Sequence, residues 1–200
     1  MTAARGRPSL TERRRQETRQ EIAEAAAVLF SEKGYDATTV EDIASAAGIS
    51  LRTFYRYCEA KEDALTPLLT SSVGRLVETL ATLPADEPLT SAVEAAFGAP
   101  ASVQQLADME RARRLIRVMG SEPAIRMRWL AAGRDMQDQL LAVLAARTGA
   151  SPDSLEVRLM ATALLDAINV ALEYWARQDE PEDLVQLTRR ALDYLRIDEL

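Results

Sequence analysis

The stretch that most limits what this chain can become is residues 39–61, TVEDIASAAGISLRTFYRYCEAK. Val40, Ile43, Ala44 and Ala47 recur at i, i+3, i+4 and i+7, which predicts a short helix with one apolar face. Gly48 stands where the chain must reverse, because a left-handed backbone costs glycine little. Ser50 is a residue type that caps helices, and it opens a second short helix through Leu51, Phe54 and Tyr55. Ala44 is small enough to let the two helices cross closely, and Phe54 supplies the apolar anchor of the second. These are the demands of a helix-turn-helix, whose second helix lies in the major groove of DNA. An ordinary helical hairpin meets the Ala-x-x-x-Gly spacing equally well. The second helix, however, exposes Arg52, Thr53, Tyr55, Arg56 and Tyr57, which suit phosphates and base edges. Ser50 and Leu51 at its start complete the candidate DNA-contacting set. Arg52, with Thr53 and Arg56, is expected to read bases, whereas Tyr55 and Lys61 are expected on phosphates.

The run Thr53-Phe54-Tyr55-Arg56-Tyr57, followed by Lys61-Glu62-Asp63, resembles the DNA-binding domain of TetR-family transcriptional regulators. The resemblance extends back through Thr38-Thr39-Val40-Glu41-Asp42-Ile43-Ala44 to Gly34-Tyr35 and Leu29-Phe30, over about the first 65 residues. It implies that Thr39 contacts a phosphate, a role that a helix N-terminus favours in any case. Cys58 and Glu59 depart from the pattern, which often has Phe and then a basic or small residue. Cys58 is expected as a small buried hydrophobe. Glu59 is expected near phosphates, weakening DNA binding slightly.

A formal net charge of −7 runs against DNA binding, but residues 1–20 carry six arginines against Glu12 and Glu17. The expected molecule has a basic DNA face, an acidic body and salt-sensitive binding. Arg5-Gly6-Arg7-Pro8 is similar to the core of an AT-hook, in which arginines enter a narrow A·T-rich minor groove. A basic tail without sequence preference accounts for the same four residues. At 48% hydrophobic and 28% charged the chain is globular. It has no run long enough to cross a bilayer, no secretory leader and one cysteine, so a cytoplasmic protein without an intrachain disulfide is expected.

The first helix is predicted from Thr11 to Lys33, with Arg13, Arg14, Arg15 and Arg19 toward DNA and Ile22, Ala26, Leu29 and Phe30 inward. Gly34 ends it. A helix from Lys61 through Leu65, Leu68, Leu69, Val73, Leu76 and Leu80 leads onward, kinked at Pro67. After the break at residues 84–88, helices are predicted at 89–97, 102–119, 122–148, 152–177 and 181–196, with Ser151 capping the fourth ahead of Pro152. No strand alternation occurs, so the fold is expected to be all-α. Residues 1–10 read as a flexible basic arm, 11–60 as the DNA-binding domain and 61–200 as a helical ligand-binding and dimerisation domain.

The helix ending near Trp175 is apolar almost all round, and the last one carries a stripe of Leu184, Leu187, Ala191, Tyr194 and Leu195. Both can fill the core of a monomer. A homodimer sealed by these two helices, with Leu164 and Ile168 at its interface, explains them better, and the resemblance implies the same four-helix arrangement. Residues 110–195 are also similar, through Arg113-Arg114-Leu115-Ile116, Glu122-Pro123-Ala124, Leu140 and Trp175, to a TetR subgroup associated with acyl-CoA-like ligands. Pocket candidates are Phe97, Leu106, Met109, Met119, Met127, Trp129, Leu130 and Met136, any of which serves equally as core. Arg113 and Arg117 suit an anionic head group or plain surface charge, and Asn169 a ligand, a buried carbonyl or its dimer mate.

The chain lacks histidine, a phosphate loop and any base beside its cysteine, so no catalytic residue, metal site or cofactor is expected. The reading is a homodimeric repressor, held on a palindromic double-stranded operator and released by a small apolar or amphipathic effector. The alternative is an architectural or partner-controlled DNA-binding protein without a ligand.

Overall fold

The computed structural model describes residues 9–97 and 103–197, without the side chains of residues 69, 71–73, 97, 103–108 and 135. The described residues form nine α-helices and a 3₁₀ turn, with no strand. In order they are α1 (Leu10–Lys33), α2 (Val40–Ala46), α3 (Leu51–Tyr57), the 3₁₀ turn (Lys61–Leu65), α4 (Thr66–Thr82), α5 (Leu89–Phe97), α6 (Val103–Ser121), α7 (Pro123–Thr148), α8 (Leu155–Arg177) and α9 (Leu184–Tyr194). The fold is all-α. The chain divides into two compact units, Met1–Leu68 and Leu69–Leu200. This division falls later than the expected 60/61 boundary because the 3₁₀ turn packs on α1.

In the first unit, Ile22, Ala26 and Phe30 of α1 are buried with Ile43 and Ala44 of α2, Phe54 of α3, and Ala64 and Leu65 of the 3₁₀ turn. Burying a side chain such as Phe54 contributes about 1.5–3 kcal/mol. Helix α1 begins one residue earlier than the predicted Thr11, because Ser9 caps it, accepting from the Glu12 amide at 3.2 Å. The single kinked helix expected from Lys61 is instead a 3₁₀ turn followed by α4. Pro67 occupies the first turn of α4, where its missing N–H breaks no helical bond. The Asp63 carboxylate holds the loop before the 3₁₀ turn by accepting from the Glu59 and Ala60 amides at 3.0 and 2.9 Å.

In the second unit, α8 packs against α6, α7 and α9, and α5 packs against α9. The core joins Leu76 and Leu80 of α4, Leu140 and Leu144 of α7, Leu164 and Ile168 of α8, and Leu192 of α9. Leu164 and Ile168 are therefore core residues of their own chain, which corrects their expected place at a subunit interface. Helix α8 starts three residues later than predicted. Ser154 caps it through the Val157 amide, while the Ser151 hydroxyl accepts from the Asp153 amide within the preceding turn. Arg147 of α7 donates to the carbonyls of Leu80, Leu83 and Glu87, closing the α4–α5 connection.

Candidate nucleic-acid interface

The turn between α2 and α3 has the bonding of a Schellman motif. The Gly48 amide donates to Ser45 O at 3.1 Å and the Ile49 amide to Ala44 O at 2.9 Å, with Gly48 at φ +66°. Both helices are capped at the predicted residues. Thr39 Oγ1 accepts from the Asp42 amide at 3.1 Å, and Asp42 Oδ2 accepts in return from the Thr39 amide at 3.2 Å. The backbone bond from Thr39 lowers the pKa of Asp42, with Lys33, 3.8 Å away, adding to it. Ser50 Oγ accepts from the Thr53 amide at 3.1 Å and lies 2.9 Å from Thr53 Oγ1. That contact occupies the Thr53 hydroxyl locally.

Phe54 is completely buried, so the opposite side of α3 faces solvent. Leu51, Arg52, Tyr55 and Arg56 are exposed, while Thr53 and Tyr57 are half-buried. The Arg56 guanidinium lies 5.0 Å from the centre of the Tyr57 ring. Among the described residues, Arg52 has no hydrogen-bonding or ionic partner. Arg14, Arg15 and Arg19 of α1 are exposed. Arg5 and Arg7 lie outside the described residues.

Lys61 is engaged within the protein. Its ammonium donates to the carbonyls of Tyr35 and Thr38 at 2.7 and 2.9 Å and sits 3.9 Å from the centre of the Tyr35 ring. The Tyr35 hydroxyl donates to Glu62 Oε2 at 3.1 Å. This cluster fixes the loop that delivers Thr39 to the start of α2, a role the sequence reading did not give to Tyr35 or Glu62. Cys58 is buried at the end of α3, and burial, then Asp63, pushes its thiol up to about 11. Glu59 is exposed.

Charge is segregated along the chain. Residues 1–68 hold ten Lys and Arg against eleven Asp and Glu, whereas residues 69–200 hold fourteen against twenty. The nearly balanced first unit thus carries concentrated cations on α1 and α3, and the acidic excess lies in the second.

Residues 22–65 match the profile described as bacterial regulatory proteins, tetR family. Residues 87–198, more than half the chain, match the profile of the MftR C-terminal domain, a TetR C-terminal type. The chain belongs to the TetR family. TcmR of Streptomyces glaucescens, an HTH-type transcriptional regulator, is 30% identical over 198 residues, covering 94% of this chain and 87% of TcmR. The fatty acid metabolism regulator protein of Bacillus subtilis is 26% identical over 181 residues, covering 88% and 92%. The fatty acid degradation regulator FadR from Bacillus halodurans superposes with a TM-score of 0.60 at 23% identity, covering 89% and 94%, and shares the fold. This TetR-family chain is a DNA-binding transcriptional regulator, as the residues of α2 and α3 implied.

Among the effector candidates of this TetR-family chain, Met127 and Leu130 are 72% and 61% exposed, and Met109 is also exposed. Their apolar character had no helical face attached to it in the sequence. Met119 is buried, while Trp129, Met136 and Asn169 are half-buried. The Phe97 and Leu106 side chains lie outside the described residues. Arg113 is buried rather than a surface charge. It donates to Glu110 at 3.0 Å and to the Gln178 carbonyl, while the half-exposed Arg117 lies 3.7 Å from Glu110. No described helix is long and apolar enough to cross a membrane.

Proposed function

We propose that this regulator is a homodimeric repressor that grips a palindromic operator and leaves it when an acyl compound enters the second unit. The observation that carries the reading is the outward face of α3, where Arg52, Tyr55 and Arg56 are exposed while Phe54 is locked into the core. Arg52 is assigned to base edges, as an arginine fork without an internal partner suits guanine. Arg56 joins it there. Thr53 supports them through its Ser50 contact. Tyr55, Thr39 and the α1 arginines are assigned to phosphates. Lys61 spends two donors on the loop carbonyls and keeps its charge for the same backbone.

The assembly reading rests on α8 and α9. Val170, Tyr174 and Tyr194 are 65%, 53% and 88% exposed and line a groove of about 480 Å³ with Ala167, Leu187 and Leu195. A two-fold axis over this groove pairs it with its copy, and a two-fold dimer calls for an inverted repeat in its operator. Asp166 and Arg190 lie in the same groove and offer opposite charges to a partner copy.

The effector reading draws on relatives. FadR from Bacillus subtilis has been crystallised with stearoyl-CoA; it is 23% identical to this chain, covers 88% of it over 96% of its own length, and superposes with a TM-score of 0.57. A ligand releases DNA only by binding the two states with different affinity. The covalent path between the units runs through α4, in which their boundary falls.

Ultracentrifugation of the protein on a labelled inverted-repeat duplex, with and without lauroyl-CoA, tests the proposal. Two chains per duplex and dissociation on adding the ligand are expected. One chain per duplex, or binding indifferent to fatty acids, acyl-CoAs and hydrophobic antibiotics alike, contradicts it.

A further inference from the structure

The second unit contains three buried N–H donors with no acceptor among the described residues: Nε of Arg114 and, on the two most deeply buried side chains, Nε of Arg113 and Nε1 of Trp175. Arg113 is 7% exposed and Trp175 2%. Neither group can act as an acceptor, so only an incoming oxygen or similar atom satisfies them. Leaving such donors unpaired inside a protein is costly, and native interiors rarely do it. The two belong to one cluster, with the Arg113 guanidinium carbon 5.8 Å from the centre of the Trp175 ring. The terminal nitrogens of Arg113 are already engaged by Glu110 and the Gln178 carbonyl, which leaves the Nε edge unspent.

The charge around these donors points the same way. Glu110 is shared by Arg113, Arg114 and Arg117 at 3.0, 3.8 and 3.7 Å, three cations on one carboxylate. That excess favours an anion. Beside it, Trp175, Ala176 and Leu187 form an apolar cluster with Ala112, Ile116 and Leu184. A cavity of about 100 Å³ lies nearby on the same two helices, lined by Ile116, Gly120, Ser121 and Ala176 with Arg117, Arg177 and the Glu173 carboxylate.

We infer that Arg113 and Trp175 form an oxyanion-binding subsite between α6 and the end of α8, where the anionic head group of an amphipathic acyl ligand is held. This inference rests on the effector reading above and adds to it the chemistry of the anchor. The shared chemistry is an oxygen anion on an apolar chain, whether the carboxylate of a free acid or the phosphate of a thioester conjugate.

The test uses the full chain with ¹⁵N-labelled tryptophan and arginine, observed with laurate, lauroyl-CoA and dodecanol. Trp129→Phe assigns the two indole signals. The Trp175 Nε1–H and Arg113 Nε–H resonances are expected to move downfield with laurate, lauroyl-CoA or both, and the responding ligand names the source of the anion. Dodecanol is expected to leave them in place. Trp175→Phe is expected to weaken binding of the anionic ligand about tenfold, with dodecanol unchanged. Arg113→Lys, which keeps the charge and removes Nε–H, gives an independent second variant. Calorimetrically proven binding of laurate or lauroyl-CoA with both resonances unmoved overturns the inference and leaves the effector reading intact. So does persistent cross-relaxation of both protons with water in the loaded protein, or an equal shift with dodecanol. Failure of all three probes to bind removes the acyl-effector reading and this inference together.

Discussion

The Lys61 ammonium donates to the Tyr35 carbonyl 2.7 Å away while sitting 3.9 Å from the centre of the same residue's ring. With its second bond, to Thr38 O at 2.9 Å, it holds both ends of the loop that leads into α2. Lys61→Met is therefore expected to cost about 2 kcal/mol of stability, as hydrogen bonds to a charged group are lost. Because the loop positions Thr39, DNA affinity should fall by a similar factor on every sequence. Thermal unfolding and fluorescence anisotropy on specific and random duplexes check the two parts.

Gly48 at φ +66° sets the turn between the two DNA-binding helices. A Cβ placed there meets nothing within 4 Å, so the cost of substitution comes from the backbone alone. Gly48→Ala is expected to destabilise the protein by about 1 kcal/mol, and Gly48→Asn by less, because asparagine tolerates the left-handed region. Urea unfolding midpoints should fall from the unaltered protein through Gly48→Asn to Gly48→Ala.

Asp42 carries a pH dependence of known sign. Its carboxyl titrates below the usual 3.8, chiefly through the Thr39 backbone bond. A carboxylate with a lowered folded pKa contributes stability above its unfolded pKa and loses it as pH falls through the folded value. Asp42→Asn should therefore flatten the acid limb of the stability curve below about pH 4. Urea midpoints measured from pH 5 downward should show the two proteins converging.

The helix-turn-helix was legible because its signals are local. Thr39, Gly48 and Ser50 each act on backbone groups within a few residues, and the structure uses all three as read. Where two local solutions compete, spacing does not choose. Ser151 and Ser154 are both capping residues, and the short turn took the first while α8 took the second. The 3₁₀ turn at Lys61 was invisible because its cause, a clamp on Tyr35 and Thr38, spans more than twenty residues of sequence. In the second unit, apolar composition located helices without saying which side each presents. Hence Leu164 and Ile168 proved to be core, and Met127 and Leu130 surface. Arg113 looked like half of a basic surface pair and is buried against Trp175, a contact no spacing rule reports.

The groove between α8 and α9 separates assembly from folding. Val170→Arg places a charge on an exposed position and should yield a monomer with full helix content and lost operator affinity. Leu164→Arg places it in the core and should reduce helix content itself. Light scattering paired with circular dichroism distinguishes the two. A native-helical Val170→Arg dimer removes this face from the assembly.

In-vitro selection of binding sites from random duplexes, run in parallel with the unaltered protein and Arg52→Ala, tests the central claim most directly. The unaltered protein is expected to enrich an inverted repeat. Arg52→Ala is expected to relax preference at one position of each half-site, a loss of about 1–3 kcal/mol there, with neighbouring positions retained. No enriched repeat, or the same repeat with undiminished preference after Arg52→Ala, contradicts the account of α3 as the element that reads the bases.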